Sequence, residues 1–154
     1  MHDASRVHPL EWVYINNDFK CGIEEEQIMK KIFATTNAPG AIGPYSQAVQ
    51  AGNMVFVSGQ LPIDPATGTF AGDDIKSQTR QSLTNIKNIL ASEGIEMSQI
   101  IRVGVFMKDM NMFGDMNAVY GEFFDKDFPA RAAVEVARLP KDALVEIEAV
   151  ACVE

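Results

Sequence analysis

Apolar positions change their spacing several times along the chain, and each change marks a boundary between elements. Lys31 to Thr35 predicts a short strand, and a loop rich in Gly and Pro, Asn37 to Pro44, follows it. Ala48 to Gln50 and Met54 to Ser58 flank Ala51-Gly52-Asn53, the pattern of two strands joined by a tight hairpin turn, and a further turn signal stands at Asp64 to Gly68. Asp73 and Asp74 are N-cap candidates for a long helix. Ile75, Thr79, Leu83, Ile86 and Leu90 recur there at spacings of three and four, and Gly94 ends the pattern. Ile100 to Met107 is dense in β-branched and aromatic residues and predicts a central strand. Phe113, Met116, Tyr120, Phe123 and Phe124 fall close to one side of a second helix, a stripe expected to be core. Ala132 to Ala137 and Leu144 to Val153 predict two last strands joined by a turn at Arg138 to Asp142 that contains Pro140.

Strands grouped around two helices, without regular βα alternation, argue for an α+β fold: one sheet with both helices on one face. The other face then has nothing in the chain to cover it, and association of subunits through that face is expected.

At 154 residues the chain is long enough for one proper core and too short to suggest two. The formal charge of −8 opposes a phosphate backbone, so nucleic acid is not an expected partner. No apolar run approaches the roughly 20 residues of a membrane helix, and no basic-then-apolar order signals export, so a membrane is not expected either. The cysteines, Cys21 and Cys152, lie far apart, and the histidines, His2 and His8, both lie near the start. That distribution argues against a zinc site, a His-dependent triad or a disulfide framework, and the expected setting is the reducing cytoplasm.

Residues 1–28 differ from the rest. They hold both histidines, the sole tryptophan, Trp12, and an acidic run, Glu24-Glu25-Glu26. The segment reads as an N-terminal extension ahead of a domain at 29–154. One reading is a translated ribosome-binding stretch before a start at Met29; the other is a short strand or helix at Leu10 to Ile15 that packs on the domain.

Without a usable His or Cys, chemistry falls to Arg, Glu, Asp, Tyr and Ser, and three places offer it. In Phe128-Pro129-Ala130-Arg131-Ala132-Ala133 an arginine opens a strand of small residues. Two-residue alternation puts Arg131, Ala133 and Glu135 on one face, so the guanidinium is expected over alanine methyls with room around it. A planar cation with five donors suits bidentate capture of a carboxylate; the competing reading is a structural ion pair with Glu135 or a neighbouring carboxylate. In Leu144-Val145-Glu146-Ile147-Glu148-Ala149, Glu146 and Glu148 share a face opposite the apolar residues. That is either a solvated face or a poised pair in which one carboxylate raises its neighbour's proton affinity. Gly43-Pro44-Tyr45-Ser46-Gln47-Ala48 and Val57-Ser58-Gly59-Gln60 each set a hydroxyl beside a glycine, yet match neither a P-loop nor a nucleophile elbow, and singly would be turns.

Taken together and in order, AIGPYSQAV, VSGQLPIDPATG, VFMKDMNMFGDMNAVYGEFF and FPARAAVEVARLPKDALVEIEA resemble the Rid family of reactive-intermediate deaminases, also called YjgF, from about Met29 to the end. The resemblance implies a chorismate-mutase-like subunit (βαβαββ-type) in a homotrimer whose sites lie between adjacent subunits. It implies hydrolysis of enamines and imines, such as 2-aminoacrylate, 2-iminopropanoate and 2-iminobutanoate, to 2-oxo acids and ammonia without a cofactor. By motif position Arg131 is similar to the family's carboxylate-binding arginine and Glu146 to its water-activating acid. Tyr45, Ser58, Gly59 and Asn117 match positions lining the same cleft. Many relatives carry a cysteine two places after the arginine where this chain has Ala133; direct attack of water on the imine makes that thiol dispensable. Some relatives bear an endoribonuclease or translation-inhibitor label, the chief alternative, and a small-metabolite-binding regulator is a third.

Overall fold

The computed structural model describes residues 30–154, so the readings of the N-terminal extension lie outside the described residues. Strands β1 (Lys30–Phe33), β2 (Ala48–Ala51) and β3 (Met54–Gln60) precede helix α1 (Ile75–Ala91). Strand β4 (Ile100–Met107), helix α2 (Phe113–Gly121) and strands β5 (Ala130–Glu135) and β6 (Val145–Cys152) follow. The order is the one the apolar pattern predicts. All strands join one sheet, β1-β2-β3-β6-β4-β5, antiparallel throughout except for the β4–β5 pair, which is parallel.

Local chemistry accounts for the boundaries. Gly52, at φ 59°, supplies the left-handed residue that lets Ala51 pair directly with Met54 across a two-residue turn. Asp74, not Asp73, caps α1: its carboxylate accepts from the backbone N–H groups of Lys76 (2.9 Å) and Ser77 (3.0 Å), satisfying donors that a helix start otherwise leaves open. Strand β5 runs Ala130–Glu135 rather than Ala132 to Ala137, because pairing with β4 begins at Arg102 opposite Ala130, directly after Pro129. Strand β1 stops at Phe33, where the chain turns into a loop that the Gln47 side chain holds.

The core lies between the helices and one sheet face. Val55 and Val57 of β3, Val103, Val105 and Met107 of β4, and Val145, Ile147, Ala149 and Ala151 of β6 are all buried there. From α1, Leu83, Ile86, Ile89 and Leu90 are inaccessible, each contributing about 1.5–3 kcal/mol of apolar burial. The buried arc of α1 is wider than the apolar spacing predicts and includes polar residues. Gln78 donates to Gly72 O (2.9 Å) and accepts from Leu144 N (2.8 Å); Asn85 donates to Leu61 O (3.1 Å) and Ile63 O (2.9 Å). Buried amides must find partners, and here they tie α1 to the 61–72 loop and to the start of β6.

Among the described residues no helix lies on the opposite sheet face. Ile32, Val49, Phe56 and Val150 pair across four adjacent strands as one apolar row, with Ile32 57% and Phe56 50% exposed. Beyond that row, Glu148 lies opposite Gly104, and Glu146 opposite Phe106.

Candidate active site

The residues singled out in the sequence occupy two separate cavities of the protomer. Tyr45, Ser58, Gly59 and Glu146 line one, of about 490 Å³, with Ile42, Leu61, Ile63, Pro140 and Lys141 around them. Asn117 and Arg131 line the other, of about 400 Å³, together with Tyr120, Gly121, Phe128 and Pro129. The division follows from the pleat. Glu146 alternates with the buried Val145 and Ile147, so it faces the open side of the sheet. Arg131 pairs in register with Val103, a core residue, so it faces the helix side at the sheet's β5 edge.

Glu146 is half-buried, and its seat is made by a glycine. A Cβ built on Gly59 would overlap Glu146 Oε1 and stand 3.0 Å from Cδ, so the carboxyl lies where only a glycine leaves room. Burial first, and the like charge of Glu148 second, raise the Glu146 carboxyl above its ordinary pKa. Both glutamates of this pair are partly buried. Ser58 is less free than its hydroxyl suggests, because Oγ donates to Ser46 O (2.7 Å) and helps to fix the loop that carries Tyr45. The Tyr45 hydroxyl accepts from Ile42 N at 3.3 Å and stays half exposed at the rim.

The Arg131 guanidinium lies beside aromatic rings. It stands 4.4 Å from the centroid of the Tyr120 ring and 5.6 Å from that of Phe113, two rings supplied by α2. The α2 stripe expected to be core thus has a second use: its Met116, Tyr120 and Val119 are buried, while the ring faces of Tyr120 and Phe113 form a shelf for the cation. The expected competitor, an ion pair with Glu135, is not formed. Glu135 accepts from Met110 N at 2.8 Å, and among the described residues Arg131 makes no salt bridge. Burial raises the Tyr120 hydroxyl above its ordinary pKa, against the opposing pull of Arg131. Ala133 packs half-buried against the core.

Two contributors escaped the sequence reading. Gln47, buried, accepts from Thr35 N (2.7 Å) and donates to Thr35 O (3.0 Å), Pro39 O (2.8 Å) and Ala38 O (3.3 Å), stapling the loop that rims the Glu146 cavity. A lone Gln at a strand entrance gives no signal of that reach. Lys141 and Asp142 adopt φ of 56° and 58°, rare for residues with a Cβ, in the turn that carries Lys141 to the same cavity. Asp142 is held by Arg138 through bonds of 2.8 and 3.1 Å. Among the described residues no His, Cys, Asp or Glu cluster could hold a metal ion, and no helix is long and apolar enough to cross a membrane.

The sequence profile of the family described as Endoribonuclease L-PSP matches residues 35–153. The chain belongs to the YjgF/Rid family. A RutC family protein of Pyrococcus horikoshii is 58% identical over 123 residues, covering 80% of this chain and 98% of that protein. A 2-iminobutanoate/2-iminopropanoate deaminase of Salmonella typhimurium is 52% identical over 126 residues, covering 80% and 98%. Among solved Rid-type structures, Escherichia coli TdcF with bound serine superposes with a TM-score of 0.78 at 48% identity, covering 80% of this chain and 99% of that one. The α+β architecture of the YjgF/Rid family, expected from the pattern of strands and helices, is therefore the observed one.

Proposed function

We propose that this protein is an enamine/imine deaminase, converting 2-aminoacrylate, its tautomer 2-iminopropanoate, and 2-iminobutanoate to 2-oxo acids and ammonia. The observation that carries the reading is the pair of complementary half-sites. One holds a cation on an aromatic shelf with no salt bridge among the described residues; the other holds a carboxyl of raised proton affinity in a cleft. Their separation within a protomer supports a site completed by a neighbouring copy in a homotrimer, whose assembly covers the apolar row of Ile32 and Phe56. The deaminase name of the Salmonella relative supports the reaction, and the serine held by the TdcF relative supports a ligand with an amino acid's carboxylate.

In this reading the Arg131 fork pairs with the substrate carboxylate and fixes the imine carbon over the Glu146 cleft. Glu146, as carboxylate, takes a proton from water while the water oxygen bonds to the imine carbon and the C=N electron pair moves to nitrogen, and it hands that proton to the nitrogen to give the neutral carbinolamine. The carbinolamine then collapses. Glu146 takes the hydroxyl proton of the carbinolamine and delivers it to the leaving nitrogen as the C=O bond forms and the C–N bond breaks, so the 2-oxo acid and ammonia separate and the carboxylate is restored. A carboxyl of raised proton affinity is a stronger base toward water than an ordinary carboxylate, which favours the first transfer. Tyr45, Ser58, Gly59 and Asn117 shape the cleft around the substrate. Water enters and ammonia leaves, so the balance needs no redox partner or cofactor.

An endoribonuclease is the second reading, favoured by the description of the matching family profile; the net charge of −8 weighs against it. A threonine or serine dehydratase assay, following 2-oxo acid and ammonia release with and without the protein, tests the proposal. Wild type accelerates release and Arg131→Ala does not. Release unchanged by wild type, with cleavage of RNA under the same conditions, overturns it.

A further inference from the structure

Glu148 has no place in the chemistry above, yet it is built like Glu146. It sits two residues along β6 on the same face, and it too lies over a glycine of a neighbouring strand. A Cβ on Gly104 would stand 2.7 Å from Glu148 Oε1 and 2.8 Å from its Cγ, just as Gly59 of β3 makes the seat of Glu146. A merely solvated glutamate needs no such recess. Glu148 is also tethered from β4, where Arg102 Nη1 lies 3.6 Å from Oε1. Across β3, β6 and β4 the open face therefore carries two carboxylates, each laid over its own glycine, with one cation on the outer member.

We propose that Glu148, seated over Gly104 and tethered by Arg102, is a positioning residue for Glu146. It acts through space along one strand to govern when Glu146 carries its proton. The inference rests on the deaminase reading only for the use to which that proton is put. Other charged or titratable groups packed against Glu146 are few among the described residues. Tyr45 and Lys141 line its cleft, and β3 presents only Ser58, Gly59 and Gln60. Under the proposed assembly Arg131 of a second copy joins them. Glu148 is the neighbour whose charge raises the Glu146 carboxyl, after burial, and Arg102 is placed to moderate that push.

The device makes opposed predictions for its two members. Removing the Glu148 charge lowers the proton affinity of Glu146; removing the Arg102 charge leaves Glu148 unmoderated and raises it. The test is a carbon-13 NMR titration of the side-chain carboxyls in protein labelled at glutamate, with Glu146→Gln identifying the Glu146 signal. The midpoint of that signal is expected to fall in E148Q and to rise in R102Q, and the acid limb of the deaminase rate to move the same way in each. Glu→Gln keeps the shape over Gly104, so the fold tolerates it, and the second variant acts from another strand. Midpoints unchanged in both variants, or moved in the same direction, overturn the proposal. Opposed shifts in a protein that does not hydrolyse imines uphold it and overturn the deaminase reading alone.

Discussion

A single methyl group at Gly59 separates the chemistry of the cleft from the stability of the fold. In Gly59→Ala the new Cβ overlaps Glu146 Oε1 and meets Cδ at 3.0 Å and Cγ at 3.2 Å. Because Cγ is among the atoms met, turning the terminal carboxylate does not relieve the contact, and the whole side chain must leave its seat. The backbone itself accepts alanine, since Gly59 is not among the glycines at positive φ. Forcing Glu146 off its staggered arrangement costs about 0.5–1.5 kcal/mol, and release from a partly buried position offsets some of it. Urea unfolding of Gly59→Ala is therefore expected within about 1.5 kcal/mol of wild type. The dehydratase-coupled rate is expected to fall by about 10²–10⁴-fold, the worth of one positioned acid–base group. Gly59→Ala and Glu146→Gln act on one group, so the double variant loses little more than either single one. Wild-type turnover in Gly59→Ala, or losses that simply add in the double variant, would refute the assignment of Glu146 to the reacting atoms.

Arg131→Lys keeps the charge but loses the planar fork and the stack on Tyr120 and Phe113. A loss of about 1.5–3 kcal/mol, or roughly 10- to 100-fold in kcat/KM, is expected from steady-state kinetics, chiefly through KM. Gln47→Ala removes the partner of Thr35 N and of three carbonyls, and denaturant unfolding is expected to show a loss of about 2–4 kcal/mol. Glu146→Gln changes stability with a definite sign. The folded state holds the Glu146 proton more tightly than the unfolded chain does, so the charged carboxylate costs stability as pH rises through its folded value. The variant therefore melts higher than wild type at neutral pH, and the gap closes below about pH 4, where the wild-type carboxyl is protonated in the folded and the unfolded state alike. A calorimetric series across that range reads it directly.

The elements were legible because each has a local cause. The two-residue turn at Gly52-Asn53, the cap at Asp74 and the strict alternation from Val145 to Cys152 are all properties of a few consecutive residues. The candidate residues were legible through the collinear motifs. Their surroundings were not. Alternation places Arg131, Ala133 and Glu135 on one face of β5, but which face of the sheet that is depends on the parallel register with β4, a pairing distant in sequence. Only that register brings Arg131 to the rings of α2 and removes Glu135 to the Met110 amide. Likewise the left-handed turn at Lys141 depends partly on a distant partner, since its far end is held by Leu144 N–H donating to Gln78 on α1. The buried polar arc of α1 was hidden for a similar reason. Gln78 and Asn85 lie off the apolar stripe, and their burial depends on the loops they hold.

The proposed site is shared between copies, with the guanidinium from one and the carboxyl from another. Mixing separately inactive Arg131→Ala and Glu146→Gln proteins, unfolding and refolding them together, and measuring dehydratase-coupled imine hydrolysis tests this most directly. Random assembly of equal amounts restores roughly one quarter of the wild-type rate, because one in four shared sites then unites an intact arginine with an intact glutamate. Activity no higher than that of the two variants alone would contradict a site built from two subunits.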